Sequence, residues 1–154
     1  MPEIRAAVVG AGRLGTLHAA KYAALGGVRV TCIVDTDAER AAKLASAYGA
    51  EALTDCRQLL GKADVATVAS PGVTHHEIAS WLLRAGYDVL VEKPMATTIE
   101  EARSLAAVAE TSGHILQIGH LERFNPAVIR LRSIVDKPRF VECHRLAPFT
   151  ERGT

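Results

Sequence analysis

A chain of 154 residues that is 49% hydrophobic can bury one substantial core but not comfortably two. Eighteen lysines and arginines against 17 acids leave no broad electropositive face for a polyanion, which argues against nucleic-acid binding. No apolar run approaches the ~18 residues that a membrane helix needs, and no secretory leader pattern follows Met1.

Strands and helices then take turns along the chain. Ile4–Val9 is a short apolar run ending in glycines, as a strand buried on both faces should. Residues 14–25 carry apolar side chains at helical spacing and stop at Gly26-Gly27, a C-cap signal. Val28–Val34 is β-branched and predicts a second strand. Asp37 opens a helix through Ala41, Leu44 and Tyr48 that stops at Gly49. Residues 65–69 predict a strand, 74–85 a helix closed by Gly86, and 89–91 another strand. A helix follows from 99 to about 109, with Thr98 and Glu101 at capping-box spacing, and residues 114–118 predict a further strand. This alternation implies right-handed crossovers and a parallel sheet covered on both faces, an α/β, doubly wound Rossmann architecture.

The pattern changes after Gly119. Asn125-Pro126 reads as an N-cap followed by proline at the first helical position, opening a helix that runs to about Val135. Residues 138–146 are strand-like. One helix and one strand bury no core by themselves. The expected organisation is therefore a dinucleotide-binding domain over 1–122 and, over 123–154, the start of a second α/β domain whose remainder lies beyond residue 154. A C-terminal arm docking on the main domain or on a neighbouring subunit is the alternative.

The first chemical signal is Gly10-Ala11-Gly12-Arg13-Leu14-Gly15, lying between a strand and a helix, with Asp35 closing the next strand about 20 residues later. Gly10 allows the tight turn, Gly12 lets backbone approach a pyrophosphate, and Gly15 lets helix and strand pack closely, while the helix N-terminus offers N–H groups to the anion. Asp35 is placed to accept hydrogen bonds from an adenosine ribose. Its charge would repel a 2′-phosphate, and neither Thr36 nor Asp37 is a cation, so NAD is favoured over NADP. A methyltransferase also carries a glycine-rich turn followed by an acid, but the later motifs do not suit one.

The second signal, Ser70-Pro71-Gly72-Val73-Thr74-His75, sits at the carboxyl edge of the 65–69 strand, where open α/β sheets hold ligands. Ser70 and His75 would border the cofactor cleft; the plainer alternative is a turn with His75 capping a helix. His75-His76-Glu77 lacks the second histidine of a zinc H-E-x-x-H site, since Ser80 and Trp81 stand there. No metal site is predicted. The cysteines Cys32, Cys56 and Cys143 are odd in number and widely spaced, the pattern of reduced thiols in a cytoplasmic protein. The third signal is Glu92-Lys93-Pro94 after the 89–91 strand. In a low-dielectric cleft the Lys93 ammonium would hydrogen-bond a substrate hydroxyl and stabilise its alkoxide character, and burial there would prepare it for proton transfer.

These motifs, with Gly119-His120-Leu121-Glu122-Arg123-Phe124-Asn125-Pro126, fall in the order seen in the Gfo/Idh/MocA oxidoreductases, which the whole chain resembles. The resemblance implies an N-terminal Rossmann domain, then an open-sheet α/β domain that supplies substrate contacts and a face for homo-oligomers. It implies that Lys93 acts at the reacting hydroxyl and that Glu92 lies by the nicotinamide. Ser70, Pro71 and His75 correspond to cofactor contacts, and His120 and Arg123 to the hinge lining the nicotinamide and substrate side. The family's other catalytic group, usually a histidine with a nearby aspartate, comes from the second domain beyond residue 154; His144 lies too early and in the wrong motif. The fragment alone is therefore expected to bind cofactor but turn over slowly or not at all. The segments 119–126 and 141–149 further resemble the bacterial nucleotide-sugar branch, notably UDP-N-acetylglucosamine 3-dehydrogenases, which implies a sugar or nucleotide-sugar substrate oxidised at a ring hydroxyl.

Two other classes of function compete with an enzyme. A non-catalytic NAD(H)-sensing module would keep the glycine turn and Asp35 without needing Lys93. A scaffold using the last predicted strand as an open edge would self-associate without cofactor affinity.

Overall fold

The computed structural model describes residues 2–144 and residue 146. Six strands, β1 (Ile4–Val9), β2 (Val28–Val34), β3 (Glu51–Leu53), β4 (Val65–Val68), β5 (Asp88–Val91) and β6 (Leu116–Ile118), alternate with helices α1 (Arg13–Ala23), α2 (Ala38–Ser46), α3 (His75–Arg84) and α4 (Ile99–Ser112). All strand pairs are parallel, in the order β3-β2-β1-β4-β5-β6. This is the doubly wound α/β sheet expected. The order reverses between β1 and β4, so the first crossovers run one way along the sheet and the later ones the other, which opens a crevice at the strand carboxyl ends.

The strand side chains alternate between two apolar layers. Val8, Val30 and Ile33 pack with Ala19, Leu44 and Ala45 of α1 and α2. Ala66, Val68, Val89 and Val91 pack with Ala79, Leu82, Leu83, Leu105 and Val108 of α3 and α4. Leu82, Leu83, Leu105 and Ile33 are all fully buried, the kind of position where truncation to alanine costs about 2–5 kcal/mol. An apolar groove lined by Ile4, Tyr22, Val65 and Ile115 opens towards the amino ends of the strands, opposite the crevice.

Several boundaries differ from the expected ones. Helix α1 ends before Gly26-Gly27, with Ala24 as its C-cap. Helix α4 runs three residues past the expected end, to Ser112, and stops at Gly113 in the left-handed region, φ +73°. Its cap is half of a capping box: Thr98 Oγ1 accepts the Glu101 N–H at 3.1 Å, but the Glu101 carboxylate accepts from Thr97 instead of Thr98. Strand β3 and a 3-10 turn at Cys56–Leu59 were not anticipated.

Residues 1–119 and 120–154 form separate compact units, a division three residues ahead of the 122/123 boundary expected. In the second, a 3-10 turn (Leu121–Phe124) leads into helix α5 (Pro126–Ile134), whose N-cap Asn125 Oδ1 accepts the Ala127 N–H at 2.9 Å. The strand expected over 138–146 is not formed: residues 138–144 and Leu146 are irregular, and Arg145 lies outside the described residues. A strand requires a neighbour to take its backbone hydrogen bonds, and no strand of the described residues pairs with this segment.

Candidate functional site

The crevice begins with the glycine turn between β1 and α1. Gly10 adopts φ +100°, and a Cβ there would stand 2.7 Å from the Ala69 backbone. A Cβ on Gly15 would fall 1.7 Å from the Gly10 carbonyl oxygen; glycine alone lets α1 approach the turn this closely. Gly12 is different, because a Cβ there would meet nothing within 4 Å. It is the N-cap of α1 and carries no side-chain cap. The first turn of α1 therefore presents N–H groups beside open space, a fit for a pyrophosphate. Arg13 and Leu14 are exposed at this edge.

Asp35 closes β2 next to the turn. Its Oδ2 accepts the Ala11 N–H at 2.8 Å and its Oδ1 the Asp37 N–H at 2.9 Å, so one carboxylate fixes both loops. The sequence reading of Thr36 and Asp37 missed a cation that the fold supplies: Arg40 Nη2 lies 3.3 Å from Asp35 Oδ1, while Arg40 Nε donates to Asp37 at 3.0 Å. The Arg40 backbone N–H and guanidinium hold Asp37 below the usual carboxylate range. Arg40 is thus shared between the two carboxylates.

After β4, Ser70 Oγ lies 2.7 Å from Thr74 Oγ1, whose hydroxyl donates to the Pro71 carbonyl at 2.8 Å. His75, expected as a cofactor contact, is 1% exposed. Its Nε2 lies 2.8 Å from the Ser70 carbonyl and its Nδ1 2.7 Å from that of Pro94. Both nitrogens are thus committed to backbone, and His75 ties the loop after β4 to the loop after β5. The sequence spacing could not show that its side chain faces inward.

After β5, Glu92 is 3% exposed. Its Oε1 accepts from His18 Nε2 of α1 at 2.8 Å, and its Oε2 accepts the Lys93 N–H at 3.2 Å. Gly119, at the end of β6, backs onto the same carboxylate: a Cβ there would come within 3.0–3.2 Å of it. His18 was not anticipated, being 74 residues away from Glu92 in the chain. Lys93 follows, joined to Pro94 by a cis peptide bond. It is exposed, and its ammonium has no partner among the described residues. The low-dielectric surroundings expected for it are not supplied by the first unit, where Lys93 is exposed. His120 and Arg123 belong to the second unit and are exposed there.

Among the described residues no cluster of histidine, cysteine and carboxylate side chains could hold a metal ion, and no helix is long and apolar enough to cross a membrane. Burial raises the Cys32 and Cys56 thiols above their usual range, which keeps them protonated and unreactive.

Comparison with known proteins gives the same picture. The Gfo/Idh/MocA family model, described as an oxidoreductase family with an NAD-binding Rossmann fold, matches residues 4–120. The UDP-N-acetylglucosamine 3-dehydrogenase of Acidithiobacillus ferrooxidans is 37% identical over 99% of this chain and 49% of its own length. The inositol 2-dehydrogenase 2 of Paenarthrobacter aurescens is 35% identical over 91% of this chain and 46% of its own. Among solved structures, GenD2 from gentamicin A biosynthesis in complex with NAD superposes with a TM-score of 0.82 at 33% identity, covering 87% of this chain and 39% of that one. The chain thus spans about half the length of the curated relatives it matches.

Proposed function

The chain belongs to the Gfo/Idh/MocA oxidoreductases, an NAD-binding Rossmann family, and from that premise we propose that it forms the cofactor half of a dehydrogenase acting on a sugar or nucleotide-sugar hydroxyl. What carries the reading is a juxtaposition at one sheet edge: the open glycine turn and Asp35 on one side of the β1/β4 switch point, Glu92-Lys93 on the other. A dinucleotide spans such a switch point with one mononucleotide over each half of the sheet. Asp35 takes the ribose on the β1–β3 side, the N-terminus of α1 takes the pyrophosphate, and Ser70, Pro71 and Glu92 border the nicotinamide half.

NAD, when bound, accepts a hydride from the carbon that bears the reacting hydroxyl. Lys93 Nζ donates a hydrogen bond to that hydroxyl oxygen and stabilises the negative charge it develops. The hydroxyl proton passes to an acid–base group of the family's second α/β domain, whose start we assign to residues 123–154, with His120 and Arg123 at the hinge. Homo-oligomers through that domain fit the same reading. The similarity to a UDP-N-acetylglucosamine 3-dehydrogenase over nearly the whole chain supports the C3 hydroxyl of UDP-N-acetylglucosamine as the substrate position.

The test is NAD reduction by the complete protein, followed at 340 nm, with UDP-N-acetylglucosamine, other UDP-sugars and myo-inositol offered side by side. UDP-N-acetylglucosamine is expected to turn over fastest, and the inositol to do so would overturn the substrate assignment. Lys93→Ala is expected to lower kcat by about a hundredfold or more while leaving NADH affinity within a few-fold. Turnover that survives the substitution would remove Lys93 from the chemistry, whereas NAD binding by the unsubstituted complete protein with no turnover of any of these substrates would favour a sensing module.

A further inference from the structure

A buried carboxylate at a crevice edge needs partners, because removing its charge from water costs several kcal/mol unless hydrogen bonds replace the lost hydration. Glu92 finds them on different elements. Its backbone sits at the end of β5, its Oε2 takes the N–H of the next residue, and its Oε1 is held by His18 at 2.8 Å. Gly119 closes the remaining side without room for a side chain. His18 is the one side chain that donates to this carboxylate among the described residues. It stands one turn beyond Gly15 on the helix whose N-terminus faces the open turn. The pair therefore crosses the β1/β4 switch point and joins the phosphate side of the crevice to the Glu92-Lys93 loop.

We propose that His18 is a positioning residue that holds the Glu92 carboxylate toward the nicotinamide half of the crevice, so that the site prefers the oxidised cofactor to the reduced one. This rests on the NAD-binding reading above. The physical reason is charge. The oxidised nicotinamide ring is cationic and the reduced ring neutral, so a fixed carboxylate in a desolvated site favours the former. Without His18 the carboxylate keeps only the Lys93 N–H and is free to turn toward solvent, which removes the negative charge from the site.

The experiment measures the affinity of the chain for NAD, NADH and ADP-ribose, the last carrying the adenosine and both phosphates but no nicotinamide. Alanine is a better helix former than histidine, so His18→Ala leaves α1 intact. It is expected to lower the preference for NAD over NADH by about five- to tenfold and to leave ADP-ribose affinity within about twofold. His18→Gln, whose amide can still donate to Glu92, is expected to restore most of the preference. Glu92→Gln is expected to lose it as His18→Ala does, and the double variant to lose no more, as members of one unit behave. An unchanged NAD-to-NADH preference in His18→Ala overturns the proposal. So does a parallel loss of ADP-ribose, which would make His18 a structural support for the whole crevice. Failure of the unsubstituted chain to bind any of the three ligands would instead overturn the NAD-binding reading, and this inference with it.

Discussion

At the scale of single residues, glycines of one motif have opposite jobs. Gly15 is required by the protein itself, because a Cβ there would overlap the Gly10 carbonyl at 1.7 Å and force α1 away from the turn. On the reading proposed above Gly12 is required by a ligand alone, since a Cβ there meets nothing and its φ of −76° suits any residue. Gly15→Ala is accordingly expected to lower the unfolding free energy by about 1–3 kcal/mol, read from the urea midpoint. Gly12→Ala should leave that midpoint nearly unmoved and weaken NADH binding in a fluorescence titration by about tenfold or more. The reverse order of effects would show that the pyrophosphate does not lie at this turn. The spacing of the motif made the tight turn at Gly10 and the close packing at Gly15 legible in the sequence. Arg40 and His18 were not legible, because their partners are set by the fold. The first turn of α2 brings Arg40 back over Asp35, and the β1/β4 adjacency brings His18 to Glu92.

Secondary-structure elements were readable where periodicity was long and hidden where it was short. β1 and β2 stand at their expected bounds, since six or seven residues that are apolar or β-branched apart from Arg5 and Arg29 admit little else. β3 has only three residues, the first two exposed at the sheet edge, too few to show a period. The 3-10 turn after it did carry a signal: Asp55 and Gln58 stand at capping-box spacing, and both halves of the box form. What fixes that turn in the core is the Tyr87 hydroxyl, which donates to the buried Leu59 carbonyl at 2.6 Å, with the Tyr87 ring stacked at 6.5 Å from Trp81 of α3. Tyr87→Phe keeps the stack but leaves the carbonyl without its donor. The expected loss is about 1–2 kcal/mol of stability, measured by denaturant unfolding, with NADH affinity unchanged because Leu59 and Tyr87 lie off the crevice. An unaltered midpoint would mean that water replaces the hydroxyl. The strand expected over 138–146 failed for the converse reason: alternation in a sequence describes a side-chain pattern, and only a neighbouring strand turns it into structure.

For the molecule as a whole, the parallel doubly wound sheet followed from the alternation of strands and helices together with right-handed crossovers, and its strand order puts both halves of the crevice on the first compact unit. The consequence is thermodynamic. If the ligand grips Asp35 and the α1 N-terminus on one side of the switch point and the Glu92 side on the other, it binds only the folded sheet, and binding must appear as stability. At a free NAD concentration of 100 times its dissociation constant the gain is about 2.7 kcal/mol, which for a chain of this size corresponds to a rise in Tm of about 5–10 °C. The rise should grow with the logarithm of NAD concentration and shrink by about half or more in Gly12→Ala, whose fold survives but whose turn is filled. A scaffold that assembles through an open edge would instead show a Tm that depends on protein concentration and ignores NAD. Thermal melts across a dilution series of each component distinguish these cases, because linkage ties the shift to whichever species binds the native state alone.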